Sequence, residues 1–262
     1  MPLDIDRYAS VGSSIQRWDP RFKIFSLGLF AFSVALLKTL PVAGLALLAA
    51  MGFLALTGMP LAFISGGLKW VILFLLPFFG ILPFTYPGEP AMYLLGLPFS
   101  WEGMRLAVLI ITKAVAIVLT SYAVFGSARF DISMLAMQRL KCPSVLVQML
   151  LFSYRYIFVF MEEMARMSTA MRVRGFVMGT NLYTLRVVGN FVGSLLVRSF
   201  ERTERVYKAM LSKGYQGQLH TLVVFRSRPK DFFKAALVLA VAVLLLAGDF
   251  TGTFPEARQG WY

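Results

Sequence analysis

Residues 106–126, LAVLIITKAVAIVLTSYAVFG, are almost continuously apolar, and this run constrains the fold more than any other stretch. At ~1.5 Å per residue it covers the ~30 Å hydrocarbon core of a bilayer as a single helix. Comparable apolar runs lie at 24–37, 41–57, 70–86 and 235–248. Inside lipid the backbone must pair its own N–H and C=O groups, so these runs read as helices and the chain as an all-α polytopic membrane protein. Hydrophobic residues make up 58% of the 262 positions and charged residues 15%, a balance too apolar for an ordinary soluble domain. Five transmembrane helices are expected. A sixth candidate, 145–160, is short and interrupted by Arg155, so it reads as a helix lying at or partly in the membrane.

Charge sets the orientation. Lys and Arg outnumber Asp and Glu by 26 to 13, and positions 127–234 hold seventeen of the basic residues against six acidic ones. A basic excess concentrated between spans marks a cytoplasmic face and a bilayer partner, and argues against nucleic acid. Arg7, Arg17, Arg21 and Lys23 precede the first span, which places the N-terminus in the cytoplasm. The segment after the third span, YPGEPAMYLLGLPFSWEG, has two Glu and no Lys or Arg, and belongs outside with the tail DFTGTFPEARQGWY. The organisation that follows is a cytoplasmic N-terminal segment (1–23), four spans (24–126), a cytoplasmic or membrane-proximal helical region (127–234), and a last span with an outer tail (235–262). The opening residues lack the charged-then-apolar order of a cleaved signal, so the first span is expected to insert the chain.

Residue chemistry narrows the function. One cysteine, Cys142, and one histidine, His220, are too few nitrogen or sulfur ligands for a transition-metal site in this chain. No catalytic residues are assigned: no span carries paired carboxylates, no Asp-rich metal motif occurs, and His220 stands in a polar loop. A G-x-x-x-x-G-K-[ST] phosphate loop is also missing, so nucleotide hydrolysis would need a separate subunit. At the first span, WDPRFKIF, Asp19 can cap the helix and Pro20 suits its first position, with Arg21 and Lys23 snorkelling to headgroups. Pro77, Pro83 and Pro87 interrupt the third span's hydrogen-bond ladder, which predicts a kinked helix packed inward. Lys113 sits within the fourth span, about two turns from its outer end, and reads as an outward-snorkelling lysine.

The most polar region contains a repeat. AMRVRGF at 170–176 returns as AMLSKGY at 209–215, and the shared pattern extends back to E-x-x-x-R-x-x-x-A-M-x-x-[RK]-G-[FY]. Glu162 and Arg166 match Glu201 and Arg205, the favourable i, i+4 order for a helical ion pair. A basic residue followed by Gly has the form of a last helical turn and its left-handed cap, so each copy reads as a helix ending at Gly175 or Gly214. Neutralisation of the helix end would explain each copy alone. Two copies on a membrane-facing basic region point to a surface that engages a partner with two equivalent subunits. Met171 and Met210 add adaptable apolar contact, and Phe176 and Tyr215 serve as core anchors or partner contacts. Gly189 and Gly193 have the small-xxx-small spacing at which two long helices can cross closely.

These residues resemble the transmembrane T component of energy-coupling factor (ECF) importers, particularly its cobalt-type CbiQ branch. DRYAS with RWDPRFK, the AMRVRGF copy and SFERTERVYKAMLSKGY carry the resemblance, which covers nearly the whole chain. It implies a non-catalytic coupling subunit in a bacterial or archaeal cytoplasmic membrane, partnered by two ABC ATPase subunits and by a substrate-capturing, CbiM-like membrane subunit. It also implies that ATP and Mg reside on the ATPases, the transported ion on the capturing subunit, and no cofactor in this chain. Cobalt or nickel is the cargo the branch suggests. Val173-Arg174-Gly175 and Ser212-Lys213-Gly214 correspond to the paired ATPase-docking motifs, departing from the family's Ala-Arg-Gly form with Val173, Ser212 and Lys213. Because lysine lacks the planar fork of arginine, unequal docking at the two motifs is expected. The competing readings are a conventional ABC permease that forms its own substrate path and a membrane-embedded lipid-modifying enzyme.

Overall fold

The computed structural model describes residues 15–251 except 17, 87–89, 95–96, 218–224 and 226. Arg7, Arg17, Pro87, His220 and the tail beyond Thr251 lie outside the described residues. The elements are α1 (Pro20–Leu36), α2 (Leu40–Ala55), α3 (Leu61–Thr85), β1 (Pro90–Leu94), β2 (Leu97–Ser100), α4 (Trp101–Phe125), α5 (Phe130–Arg139), α6 (Ser144–Val173), α7 (Leu182–Ser212) and α8 (Pro229–Phe250). Four described stretches are long and apolar enough to cross a membrane: Ala62–Thr85, Trp101–Phe125, Ser144–Val173 and Pro229–Phe250. The all-α, multi-pass membrane architecture expected from the apolar runs is therefore present. The chain divides into two compact units, one formed by 137–224 and the other by the segments on either side.

In the larger unit, α1 packs on α4 and α8, while α2 and α3 pack on α4. Along α1 the buried residues Lys23, Ser26, Leu27, Phe30, Ser33 and Val34 recur at helical spacing, and large apolar residues on the other faces, such as Phe25 and Phe32, remain exposed. A helix apolar on every side suits hydrocarbon on one face and protein on the other. Close packing comes from small residues: Ala43, Ala46 and Ala50 on α2, Ala107, Ala116 and Ala123 on α4, and Ala235 and Ala242 on α8 are all buried. At Gly103 the approach is to backbone. A β-carbon there would stand 2.5 Å from the Leu82 carbonyl oxygen and 2.9 Å from Pro83 Cα.

Polar clasps close both ends of this unit. At one end Asp19 caps α1 by accepting from the Arg21 amide at 3.0 Å, and Pro20 opens the helix as its sequence requires. The Trp18 indole donates to the Asp231 carbonyl at 3.1 Å, joining the starts of α1 and α8. Lys23 does not snorkel. It is fully buried, and its Nζ donates to Ser127 Oγ at 3.0 Å, because the stripe that carries it faces α4. At the other end buried Asp249 of α8 accepts from the Lys38 and Thr39 amides at 2.9 Å each and from Thr39 Oγ1 at 2.6 Å. Lys113 finds a protein partner: its Nζ donates to the Leu37 carbonyl at 2.7 Å, where α1 has ended and its carbonyls lack helical partners.

Two further expectations change. The third span, expected over 70–86, begins earlier: α3 starts at Leu61 and runs through Gly66-Gly67. Pro83 is buried against α4, but Pro77 lies on an exposed stretch of α3, so this helix is packed inward only near its end. Strands β1 and β2 pair antiparallel, with Leu94 opposite Leu97 and Met92 opposite Phe99.

Candidate coupling site

The smaller unit contains α6 and α7. The run 145–160 and the first repeat copy, read separately in the sequence, belong to one continuous helix of 30 residues, and the second copy ends a helix of 31. Asn181 caps α7 by accepting from the Thr184 amide at 2.7 Å. Contacts between Glu163 and Arg198, and between Gln148 and Tyr215, fix an antiparallel course. The two repeat ends consequently lie at opposite ends of the pair. Residue 215 sits beside residue 148, and the 26 positions from there to Arg174 correspond to about 40 Å of helix.

Both copies close with the same hydrogen-bonded cap. In the first, the Phe176 amide donates to the Met171 carbonyl at 3.1 Å and the Gly175 amide to the Arg172 carbonyl at 3.0 Å. In the second, the Tyr215 amide reaches the Met210 carbonyl at 3.0 Å and the Gly214 amide the Leu211 carbonyl at 2.9 Å. Gly175 and Gly214 adopt φ of 81° and 82°, the left-handed geometry this Schellman arrangement needs. The repeat is thereby explained residue by residue. Met and the aromatic residue occupy the two positions that such a cap brings together, and glycine occupies the position where a β-carbon is strained.

The cations are what the cap does not use. Val173 and Ser212 are the last helical residues, and Arg174 and Lys213 follow as exposed C-cap residues. Neither basic side chain forms an ion pair among the described residues. The predicted Glu162–Arg166 and Glu201–Arg205 pairs occur at 3.6 and 3.9 Å on exposed faces, where such pairs contribute little. Better placed is a pair that sequence spacing could not disclose: Glu163 accepts from Arg198 across the helices and from Arg166 within α6 at 3.1 Å.

The two tips differ in their support. Tyr215 donates its hydroxyl to Gln148 Oε1 at 2.6 Å, and Gln148 Nε2 donates to the Gly217 carbonyl at 3.0 Å, so the second tip is tied to the start of α6. Phe176 lies beside Tyr183, with ring centroids 6.5 Å apart, and the first tip is flanked by exposed Val173, Val177 and Met178. Gln148, a lone amide in an apolar run, was the sequence signal for this tie. Among the described residues nothing crosses at Gly189 and Gly193: both are exposed with open space where a β-carbon would stand. The helices touch further along α7, where Arg198 reaches Glu163.

Fold and site define a multi-pass helical membrane protein carrying a two-helix unit with twin cationic ends. The sequence model of the cobalt transport protein family, CbiQ, matches residues 12–222, and the chain belongs to that family. It is 26% identical over 261 residues to the energy-coupling factor transporter transmembrane protein EcfT of Bacillus subtilis, covering 92% of this chain and 97% of that one. The EcfT of Bacillus selenitireducens is 27% identical over 270 residues, with 95% and 97% covered. The cobalt transport protein CbiQ of Rhodobacter capsulatus is 28% identical over 114 residues, with 43% and 45% covered.

Proposed function

We propose that this chain is the transmembrane coupling subunit of an energy-coupling factor ABC importer. It transmits ATP-driven motion from two ATPase subunits to a separate substrate-capturing membrane subunit. The observation that carries this reading is the duplication of one cap at opposite ends of the α6–α7 pair, each presenting an exposed cation without an acidic partner in the described chain. Tips about 40 Å apart exceed the ~30 Å breadth of a small domain, so they suit two partner subunits better than one. In the proposed mechanism, closure of the ATPase pair on ATP moves the tips, and the long helices relay that motion as rigid levers.

The same reading places 127–234 at the cytoplasmic face, against the membrane, and the N-terminus in the cytoplasm; it makes the chain non-catalytic and leaves ATP and Mg to the ATPases. The transported ion is held by the capturing subunit. Cobalt is the favoured cargo, supported by the family description and by the name of the Rhodobacter relative, with nickel as the neighbouring choice. Arg174→Glu should detach ATPase while leaving membrane insertion intact, because it sets like charges against an acidic groove. Normal amounts of co-purifying ATPase with this variant would refute the docking role.

A further inference from the structure

The groove between α6 and α7 changes character along its length. One part, a cleft of about 360 Å³, is lined by Phe152, Tyr156 and Phe160 from one face of α6 and by Thr203, Tyr207 and Met210 from α7. The three aromatic rings form a ladder, with centroids 6.4 and 6.5 Å apart along the series. Phe160 also lines a second cleft of about 270 Å³, whose charged walls are Glu163, Glu201, Arg198, Arg202 and Arg205. An apolar channel therefore opens into a cationic pocket at a shared ring.

Charges in that pocket do not balance. Glu163 is engaged by Arg166 and Arg198, and Glu201 by Arg205. Arg202 is half-buried and has no acidic partner among the described residues. A guanidinium partly withdrawn from water gains most from an anion with several oxygens, and a phosphate fits its planar fork. We propose that this groove binds one anionic phospholipid, its phosphate against Arg202 and an acyl chain along the Phe152–Tyr156–Phe160 ladder. Both cleft volumes are of small-ligand size, and a partner helix ~10 Å across would not enter them. The apolar character of α6 brings the groove within reach of lipid. Because Met210 and Tyr215 line the aromatic end, the bound chain braces the second repeat tip.

Native mass spectrometry of the full-length protein, with phosphatidylglycerol, phosphatidylcholine or inorganic phosphate added, tests this directly. One phosphatidylglycerol should bind with at least about tenfold preference over phosphatidylcholine, whose phosphate is offset by a choline cation that the neighbouring arginines repel. Inorganic phosphate alone should not be retained. Arg202→Gln should abolish the preference, Arg202→Lys should keep part of it, and Arg186→Gln, on α7 outside both clefts, should leave it intact. Equal binding of the two lipids, retention of free phosphate, or an unchanged Arg202→Gln would overturn the proposal. A photo-cross-linking side chain at position 156, activated in native membranes, should yield a lipid-sized adduct. A polypeptide adduct there would overturn the proposal in favour of a protein occupant.

Discussion

At the scale of residues, the cation of each tip is separable from the cap that displays it. Glycine, methionine and the aromatic residue are needed to end the helix, and they do so identically in both copies. Arg174 and Lys213 are not needed for that, so their conservation of charge between copies argues for an external acid. Arginine forms bidentate, charge-assisted contacts of about 1.5–3 kcal/mol, whereas lysine acts as a point charge on a flexible stem. Arg174→Ala should therefore reduce ATPase recovery and transport more than Lys213→Ala in matched assays. Equal losses would remove the asymmetry. The repeat itself was readable in the sequence because a Schellman cap uses fixed offsets along one helix. The protein partners of Lys23 and Lys113 were not, because they lie 104 and 76 positions away in sequence, and snorkelling is the default for a lone lysine near a span end.

At the scale of elements, the second tip owes its support to a contact between helices. Gln148 receives the Tyr215 hydroxyl and donates to the Gly217 carbonyl, so Gln148→Leu removes both bonds, a loss of about 1–2 kcal/mol. Amide exchange at 213–217 should accelerate in this variant while the middle of α6 keeps its protection. Unchanged exchange at the tip would mean that Gln148 does not anchor it. Element type was legible wherever apolar runs were long. Element ends were less so: α3 starts earlier than its apolar run because glycines at 66–67 look like a loop, yet Gly67 lies under Tyr122 of the facing helix. Likewise, Gly189 and Gly193 match a crossing motif without being crossed, since helix position is set by the Glu163–Arg198 and Gln148–Tyr215 contacts instead.

At the scale of the whole molecule, the scaffold of the larger unit is pinned at its ends by buried polar clasps. Asp249→Ala leaves two backbone amides and the Thr39 hydroxyl without their acceptor, and should lower thermal stability in detergent by about 2–4 kcal/mol. Asp249→Asn, which keeps an acceptor oxygen, should lose less; equal losses would show that charge rather than hydrogen bonding holds the clasp. Membrane class was legible from hydropathy alone, which acts locally along the chain. Clasps between residues over two hundred positions apart have no such local signature. The central claim, that two capped cationic tips receive two ATPase subunits, is tested most directly by site-specific cross-linking. With Cys142 replaced, single cysteines at positions 173 and 212 should each cross-link to an ATPase subunit in the purified transporter. Adducts from both positions are the predicted result; cysteines that react only from the outer face of sealed vesicles, or that never reach an ATPase, would contradict the account.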